Sequence, residues 1–203
     1  VNVGDVKRGD RFWFDPFQVV VKEELRGRYV APDLDDIARL AVSILTHGQL
    51  QPVVVRKDDG NPVLVAGFTR TAAARMIRTG FTFDGQEYHS AEFRLQAVLS
   101  DCNDEEAFER NIVENCHRNE TSPIDDAHNQ RRLRDQFGKN DAEIARLYEV
   151  SPNKVGQYKR LLSLSSDEQS LVHTGKMSVS AAIDLLDVPA EDRLAIVTAA
   201  TTD

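Results

Sequence analysis

The 203 residues suffice for one large or two small domains with a substantial core. Hydrophobic residues make up 41% and charged residues 29%, and no apolar run approaches the roughly 18 residues that span a bilayer, so no membrane segment is expected. The net charge of −8 excludes a protein that grips nucleic acid by bulk charge, and two cysteines are too few for a disulfide framework.

Taken in order, residues 1–25 mix apolar alternation (Phe12, Phe14; Val19, Val21) with Gly4, Gly9 and Pro16, which predicts short strands and turns, with Trp13 in the core. Arg26-Gly27-Arg28-Tyr29 follows, and Pro32-Asp33 introduces a helix to about His47. Leu34, Ile37, Ala38, Ala41, Ile44 and Leu45 recur there at helical spacing, and Gly48 stops it. Gln51 to Arg56 reads as a buried strand, Asp58-Asp59-Gly60-Asn61 as a hairpin turn and Val63 to Ala66 as the returning strand. Gly67-Phe68-Thr69-Arg70 then opens a helix of small residues ending at Gly80. A strand running through glycine into a helix start offers free backbone N–H groups to a phosphate, though a plain strand–helix turn has the same pattern. Arg70 in that first turn opposes the helix dipole unless an anion offsets it. Residues 81–100 read as a hairpin with Asp84-Gly85 at its turn and Phe93, Leu95 and Ala97 in the return strand.

From Asp104 onward the pattern is helical. Glu114-Asn115-Cys116-His117-Arg118 puts a carboxylate, a carboxamide and a guanidinium within about one and a half turns. The two oxygens suit a hard divalent cation and the arginine suits the phosphates it bridges; an ordinary i,i+4 ion pair fits the same spacing. Ser122-Pro123 caps a helix to about Phe137, with Gly138 as its stop. Asn140 caps a short helix from Ala142 to Tyr148, and Ser151-Pro152 caps another through about Leu164. Apolar Ile144, Leu147, Val150, Val155 and Tyr158 around a tight junction fit a helix-turn-helix, with Glu149 where glycine is commoner. Two serine-capped helices, about Ser166–Thr174 and Val179–Leu186, complete the chain.

Laid out this way, the chain resembles the ParB family of chromosome and plasmid partition proteins over nearly its whole length. Gly48-Gln49-Leu50-Gln51-Pro52-Val53-Val54-Val55 is similar to the family's GLIQPIVV, and Gly67-Phe68-Thr69-Arg70 stands where it has GERR. Glu114 to Arg118 with Pro123-Ile124-Asp125-Asp126-Ala127 matches ENLQR…NPIEEA without a gap, and Arg26 to Tyr29 falls where PRxxF precedes the helix. The implied fold class is an α+β ParB-like domain followed by an all-α helix-turn-helix domain. The expected organisation is a nucleotide-binding α/β domain at 1–103, connecting helices at 104–138 and a DNA-binding helical domain at 139–203.

The resemblance implies CTP and Mg²⁺ as cofactors, and a homodimer whose loaded domains close into a clamp sliding on DNA. Carried to matching positions, Glu114 and Asn115 would serve the metal, with Glu114 the candidate catalytic carboxylate. Arg26, Arg28, Gln51, Gly67, Phe68, Thr69, Arg70, Asn115 and Arg118 would bind the nucleotide. Phe68, Thr69 and Ala72 replace charged family residues; each lost charged donor would cost about 1.5–3 kcal/mol. Slow hydrolysis of CTP to CDP and phosphate, or none, is expected.

The recognition helix offers Ser151, Asn153, Lys154, Gln157, Lys159 and Arg160 to a sequence-specific DNA site, with Asn153, Lys154 and Gln157 best placed because Val155 and Tyr158 face the core. Arg131-Arg132-Arg134 either tracks phosphates or forms a solvated face. The implied setting is the cytoplasm, on the nucleoid or a plasmid, with a partner ATPase. Since the chain runs from Val1 to Asp203, the family's C-terminal dimerisation domain is expected to be removed or absent. Two other classes share this pattern: an enzyme on the same fold (phosphotransferase or nuclease), and an acidic protein-interaction module without nucleotide binding.

Overall fold

The computed structural model describes residues 6–22, 25–26, 32–117, 121–189 and 191–193; of Glu114, Cys116 and His117 only the backbone is described. The chain forms two compact units, residues 1–26 with 31–111 and residues 27–30 with 112–203.

The first unit is built on a four-stranded sheet in the order β1-β6-β2-β3, from β1 (Arg11–Phe14), β2 (Val53–Asp58), β3 (Asn61–Ala66) and β6 (Leu95–Leu99). β2 and β3 form the expected hairpin, antiparallel through Asp58↔Asn61, whereas β6 runs parallel to β2 and antiparallel to β1. Leu95 and Ala97 therefore belong to the central sheet. They are not the return strand of a hairpin turning at Asp84-Gly85, which instead closes the small ribbon of β4 (Phe81–Phe83) and β5 (Gln86–Tyr88).

Phe12, Phe14, Val53, Val55, Leu64, Leu95 and Ala97 fill one core with Ala74. Trp13, expected in that core, is 54% exposed, because strand alternation turns it away from Phe12 and Phe14. A second core joins α1 (Leu34–His47) to α2 (Phe68–Thr79) through Ile37, Ala41, Ile44, Ala73 and Ile77. Leu34 is exposed, since it stands in the first turn ahead of the apolar stripe that begins at Ile37.

α3 (Asp104–His117) starts in this unit. Its buried Asn111 donates to the carbonyls of Leu25 (3.0 Å) and Val65 (3.1 Å), so one amide ties the helix to the N-terminal segment and to β3. At the same end Arg56 pairs with Asp104 and Asp58, and Lys22 with both carboxylates.

The second unit is helical: α4 (Pro123–Phe137), α5 (Asp141–Leu147), α6 (Pro152–Leu161), α7 (Ser166–His173) and α8 (Val179–Leu185). Side chains of Ser122, Asn140, Ser151, Ser165 and Ser178 cap them in that order, each accepting from a first-turn backbone N–H. α6 ends at Leu161, short of the expected Leu164, whose side chain is nonetheless buried in the core of Ile124, Ala127, Tyr158, Leu161 and Val172. No helix among the described residues is long and apolar enough to cross a membrane.

Replacing Asn111 by alanine leaves the Leu25 and Val65 carbonyls without this donor. Unfolding free energy in urea should fall by about 2–4 kcal/mol. A loss below about 1 kcal/mol would show that neither bond matters to stability.

Candidate functional site

In the first unit the strand–helix turn after β3 has the geometry of an anion cradle. Gly67 sits in the left-handed region at φ 97°, ψ 32°, a conformation glycine adopts without strain. A Cβ there would lie 2.6 Å from Cγ1 of Val53, so the backbone rests directly on β2 and no side chain fits. Neither a side-chain cap nor an acidic residue occupies the first turn of α2. The N–H groups that helix geometry leaves without intrahelical partners, and the positive end of the dipole, thus face the turn.

Phe68 packs partly buried against the sheet core, and Thr69 is half-buried beside it. Arg70 folds back, donating through Nη1 to the carbonyls of Gln51 (3.0 Å) and Pro52 (2.7 Å). The conflict between Arg70 and the helix dipole is thus offset by backbone carbonyls. Gln51 and residues 67–70 are brought together within one unit.

Gln49, not singled out from the sequence, laces the same corner. Its Nε2 donates to the carbonyls of Gln51 and Gln96 (both 2.9 Å), and its Oε1 accepts from the Gln96 N–H (2.7 Å). An amide side chain beside a proline-broken strand start was the available signal. Leu50 is 85% exposed. Arg26 is half-buried at the edge of this unit, and Arg28 lies outside the described residues.

The third motif lies in the last turns of α3. Asn115 is half-buried there; the Glu114 side chain and Arg118 lie outside the described residues. Among the described residues no group of three or more His, Cys, Asp or Glu side chains could hold a metal.

In the second unit α5 and α6 form the helix-turn-helix. Glu149 takes a left-handed turn (φ 52°), and Val150 N–H reaches the Ala145 carbonyl at 2.9 Å, which brings α6 back across α5. Ser151 Oγ accepts from the Lys154 N–H at 3.3 Å. Val155, Tyr158 and Leu161 are buried, whereas Ser151, Asn153, Lys154, Gln157, Lys159 and Arg160 are all exposed. Two of these cations have intramolecular partners: Lys154 Nζ lies 5.5 Å from the centre of the Tyr158 ring, and Arg160 pairs with Asp187 at 2.9 Å.

On α4, Arg134 pairs with Asp141 at 2.6 Å and Arg131 contacts His128 at 3.2 Å, so the basic run is partly engaged within its own unit. Burial pushes the Asp126 carboxyl up to about 6 and lowers His128.

An α+β unit whose strand–helix turn is built on glycine, followed in the chain by a unit of capped helices that contains a helix-turn-helix, defines the class by fold. The model of the ParB N-terminal domain matches residues 16–116 and that of the ParB HTH domain residues 119–203; the chain belongs to the ParB family. It is 32% identical over 197 residues to the Neisseria meningitidis protein named "Probable chromosome-partitioning protein ParB", covering 95% of this chain and 63% of that one. It is 32% identical to the chromosome-partitioning protein Spo0J of Thermus thermophilus, over 79% of this chain and 54% of the relative. The chain thus spans somewhat over half the length of these relatives. In fold it is similar to the C-terminally truncated chromosome-partitioning protein ParB of Caulobacter crescentus, solved in complex with the centromeric parS site. That match has a TM-score of 0.56 at 22% identity and covers 92% of this chain and 89% of that one.

Gly67→Ala forces a Cβ into Val53 and a non-glycine residue into the left-handed region. Chemical denaturation should show a loss of about 2–4 kcal/mol. Stability within about 1 kcal/mol of wild type would mean the turn relaxes and its tight approach is not required.

Proposed function

We propose that this chain is a ParB-type, sequence-specific DNA-binding protein of chromosome or plasmid partition or a related regulatory role, switched by CTP with Mg²⁺. The observation that carries the DNA-binding part is the recognition helix. α6 is fixed by Val155, Tyr158 and Leu161 and turns Asn153, Lys154, Gln157, Lys159 and Arg160 to solvent. Asn153 and Gln157 match the donor–acceptor pair of adenine, while Lys159 and Arg160 match guanine or phosphate. Residues 121–170 carry eight basic and eight acidic side chains, so affinity comes from this local face and not from overall charge.

For the nucleotide, the resemblance assigns the triphosphate to the turn of Gly67–Arg70 and the arginines Arg26, Arg28 and Arg118, and the metal to Asn115 and Glu114. An uncapped helix start behind an obligatory glycine supports the phosphate assignment. Bound Mg²⁺ would neutralise phosphate charge. Phe68, packed against the sheet core, stands where the family carries a glutamate, which supports slow or absent turnover. Homodimerisation, clamp closure and a partner ATPase follow from the same reading.

Calorimetric titration with CTP, ATP, GTP and UTP, each with Mg²⁺, should show binding selective for CTP and weakened at least about tenfold, or about 1.4 kcal/mol, by Asn115→Ala. No binding of any nucleotide would mean that the pocket is disabled. On a duplex selected from a random pool, Gln157→Ala should cost about 1–3 kcal/mol and relax preference at one base pair. Lys159→Ala should weaken all duplexes alike and reduce the salt slope by about 1. Unchanged affinity and preference in the Gln157 variant would remove α6 as the reading helix.

A further inference from the structure

His128 stands half-buried in the second turn of α4, and both of its ring nitrogens have partners. Nε2 lies 3.2 Å from Oε1 of Gln169 on α7, and Nδ1 lies 3.2 Å from Nη2 of Arg131, three residues further along α4. The amide of Gln169 is not free to turn, because its Nε2 donates to the Leu164 carbonyl at 2.9 Å and a carbonyl can only accept. Its Oε1 therefore faces the imidazole and takes a proton from Nε2. A guanidinium carries donors and no acceptor, so Nδ1 must present a lone pair to Arg131. Two neighbours of fixed polarity thus require the same species, a neutral ring with its proton on Nε2.

The surroundings favour that species. Burial opposes a second proton most strongly, and the cations Arg131 and Arg132 of α4 oppose it too, against the Gln169 hydrogen bond and Asp125, which favour it. The balance holds the proton affinity of His128 below the ordinary histidine value. On α7, Glu168 beside Gln169 closes the capping box of its own helix. The other histidine between these two helices works in the opposite sense. His173, the last residue of α7, has Nδ1 2.8 Å from Ser122 Oγ and 3.6 Å from the Asp125 carboxylate, so a proton there adds an ion pair and breaks no bond.

We propose that His128 is a proton-operated lock on Arg131: with its ring neutral it holds the arginine along α4, and on taking up a proton it lets the arginine go. A doubly protonated ring has a donor at Nδ1 where Arg131 also brings donors, so that bond is lost and the two cations repel. The bond to Gln169 survives, since Nε2 keeps its proton. Release is therefore confined to Arg131, while α7 stays tied to α4. The folded ring binds a proton less readily than an unfolded one. Stability therefore falls as pH drops below the ordinary histidine range, and the loss ends once the folded ring has titrated.

Nitrogen NMR of the whole chain tests it, with the His128 ring assigned through its own side-chain carbons. Above about pH 7.5 the wild-type ring should show a protonated Nε2 and a bare Nδ1. A neutral ring with its proton on Nδ1, or a mixture of the two forms, overturns the proposal. As pH is lowered, relaxation of the Arg131 Nε–H should report a loss of order with the same midpoint as the ring. In His128→Phe that group should be mobile at every pH. An Arg131 signal that ignores the ring's titration, or that stays as ordered in His128→Phe as in the wild type, overturns the lock. Arg131→Gln, a change at an exposed position, removes the guanidinium charge and should raise the His128 midpoint. An unchanged or lowered midpoint there also overturns it. The wild-type titration and Arg131→Gln decide the matter even if His128→Phe does not fold.

Discussion

The first unit depends on one close approach, that of the Gly67 backbone to Val53. Because nothing larger than hydrogen fits between them, the turn out of β3 lies directly on the start of β2. Two consequences follow. The start of α2 is held beside the segment that precedes β2, so Arg70 can reach the carbonyls of Gln51 and Pro52. The same segment is stitched to β6 by Gln49, which satisfies both the donor and the acceptor of Gln96. Three stretches far apart in sequence thus meet at one corner, and a phosphate bound there, as proposed, would find its backbone donors already in place. Backbone donors set in advance lose little freedom when they meet an anion.

The second unit answers a different constraint. Among the described residues, its helices α4 to α8 are 7–15 residues long, lengths at which isolated helices are marginal in water. Each is started by a side-chain cap, and three of the caps are reciprocal boxes, at Ser122, Asn140 and Ser165. The caps decide where each helix begins, and the shared core of Ile124, Ala127, Tyr158, Leu161 and Val172 decides which face turns inward. Together they orient α6: with Val155, Tyr158 and Leu161 buried, the positions between them must face solvent.

This explains what was legible in the sequence and what was not. Helix starts and faces were readable because caps and apolar spacing are local signals. Ser122, Asn140, Ser151 and Ser178 mark starts that the structure confirms, and Glu149 in the glycine position indeed takes positive φ. Sheet partners were not readable in the same way. Phe93, Leu95 and Ala97 look like the return of a hairpin, but the pairing of Leu95–Leu99 with both β1 and β2 is non-local, and alternation carries no information about the partner. Trp13 was misplaced for a related reason: between Phe12 and Phe14, alternation must turn it away from the face they fill, whatever its hydrophobicity. In the cradle, glycine and the following helix were visible. The destination of the Arg70 guanidinium was not, since carbonyls leave no trace in residue identity.

Charge is the last point at which the two levels meet. A chain of net charge −8 reads as unsuited to nucleic acid, and the acidic excess lies largely outside α6, at 101–120 and 171–203. Several basic groups on and around that helix have internal partners: Arg160 has Asp187, Arg134 has Asp141, and Lys154 has the Tyr158 ring. Exposed pairs such as Arg160–Asp187 are worth only about 0–1 kcal/mol, so exchanging that carboxylate for a phosphate costs little. Internal partners of this kind lower the general attraction to any polyanion. Base-edge contacts, which Asn153 and Gln157 can make without charge, are untouched by them. If α6 reads DNA as proposed, a weakly basic face shifts the balance from phosphate-led binding toward readout of sequence, which is what a protein needs if it must find one site among many.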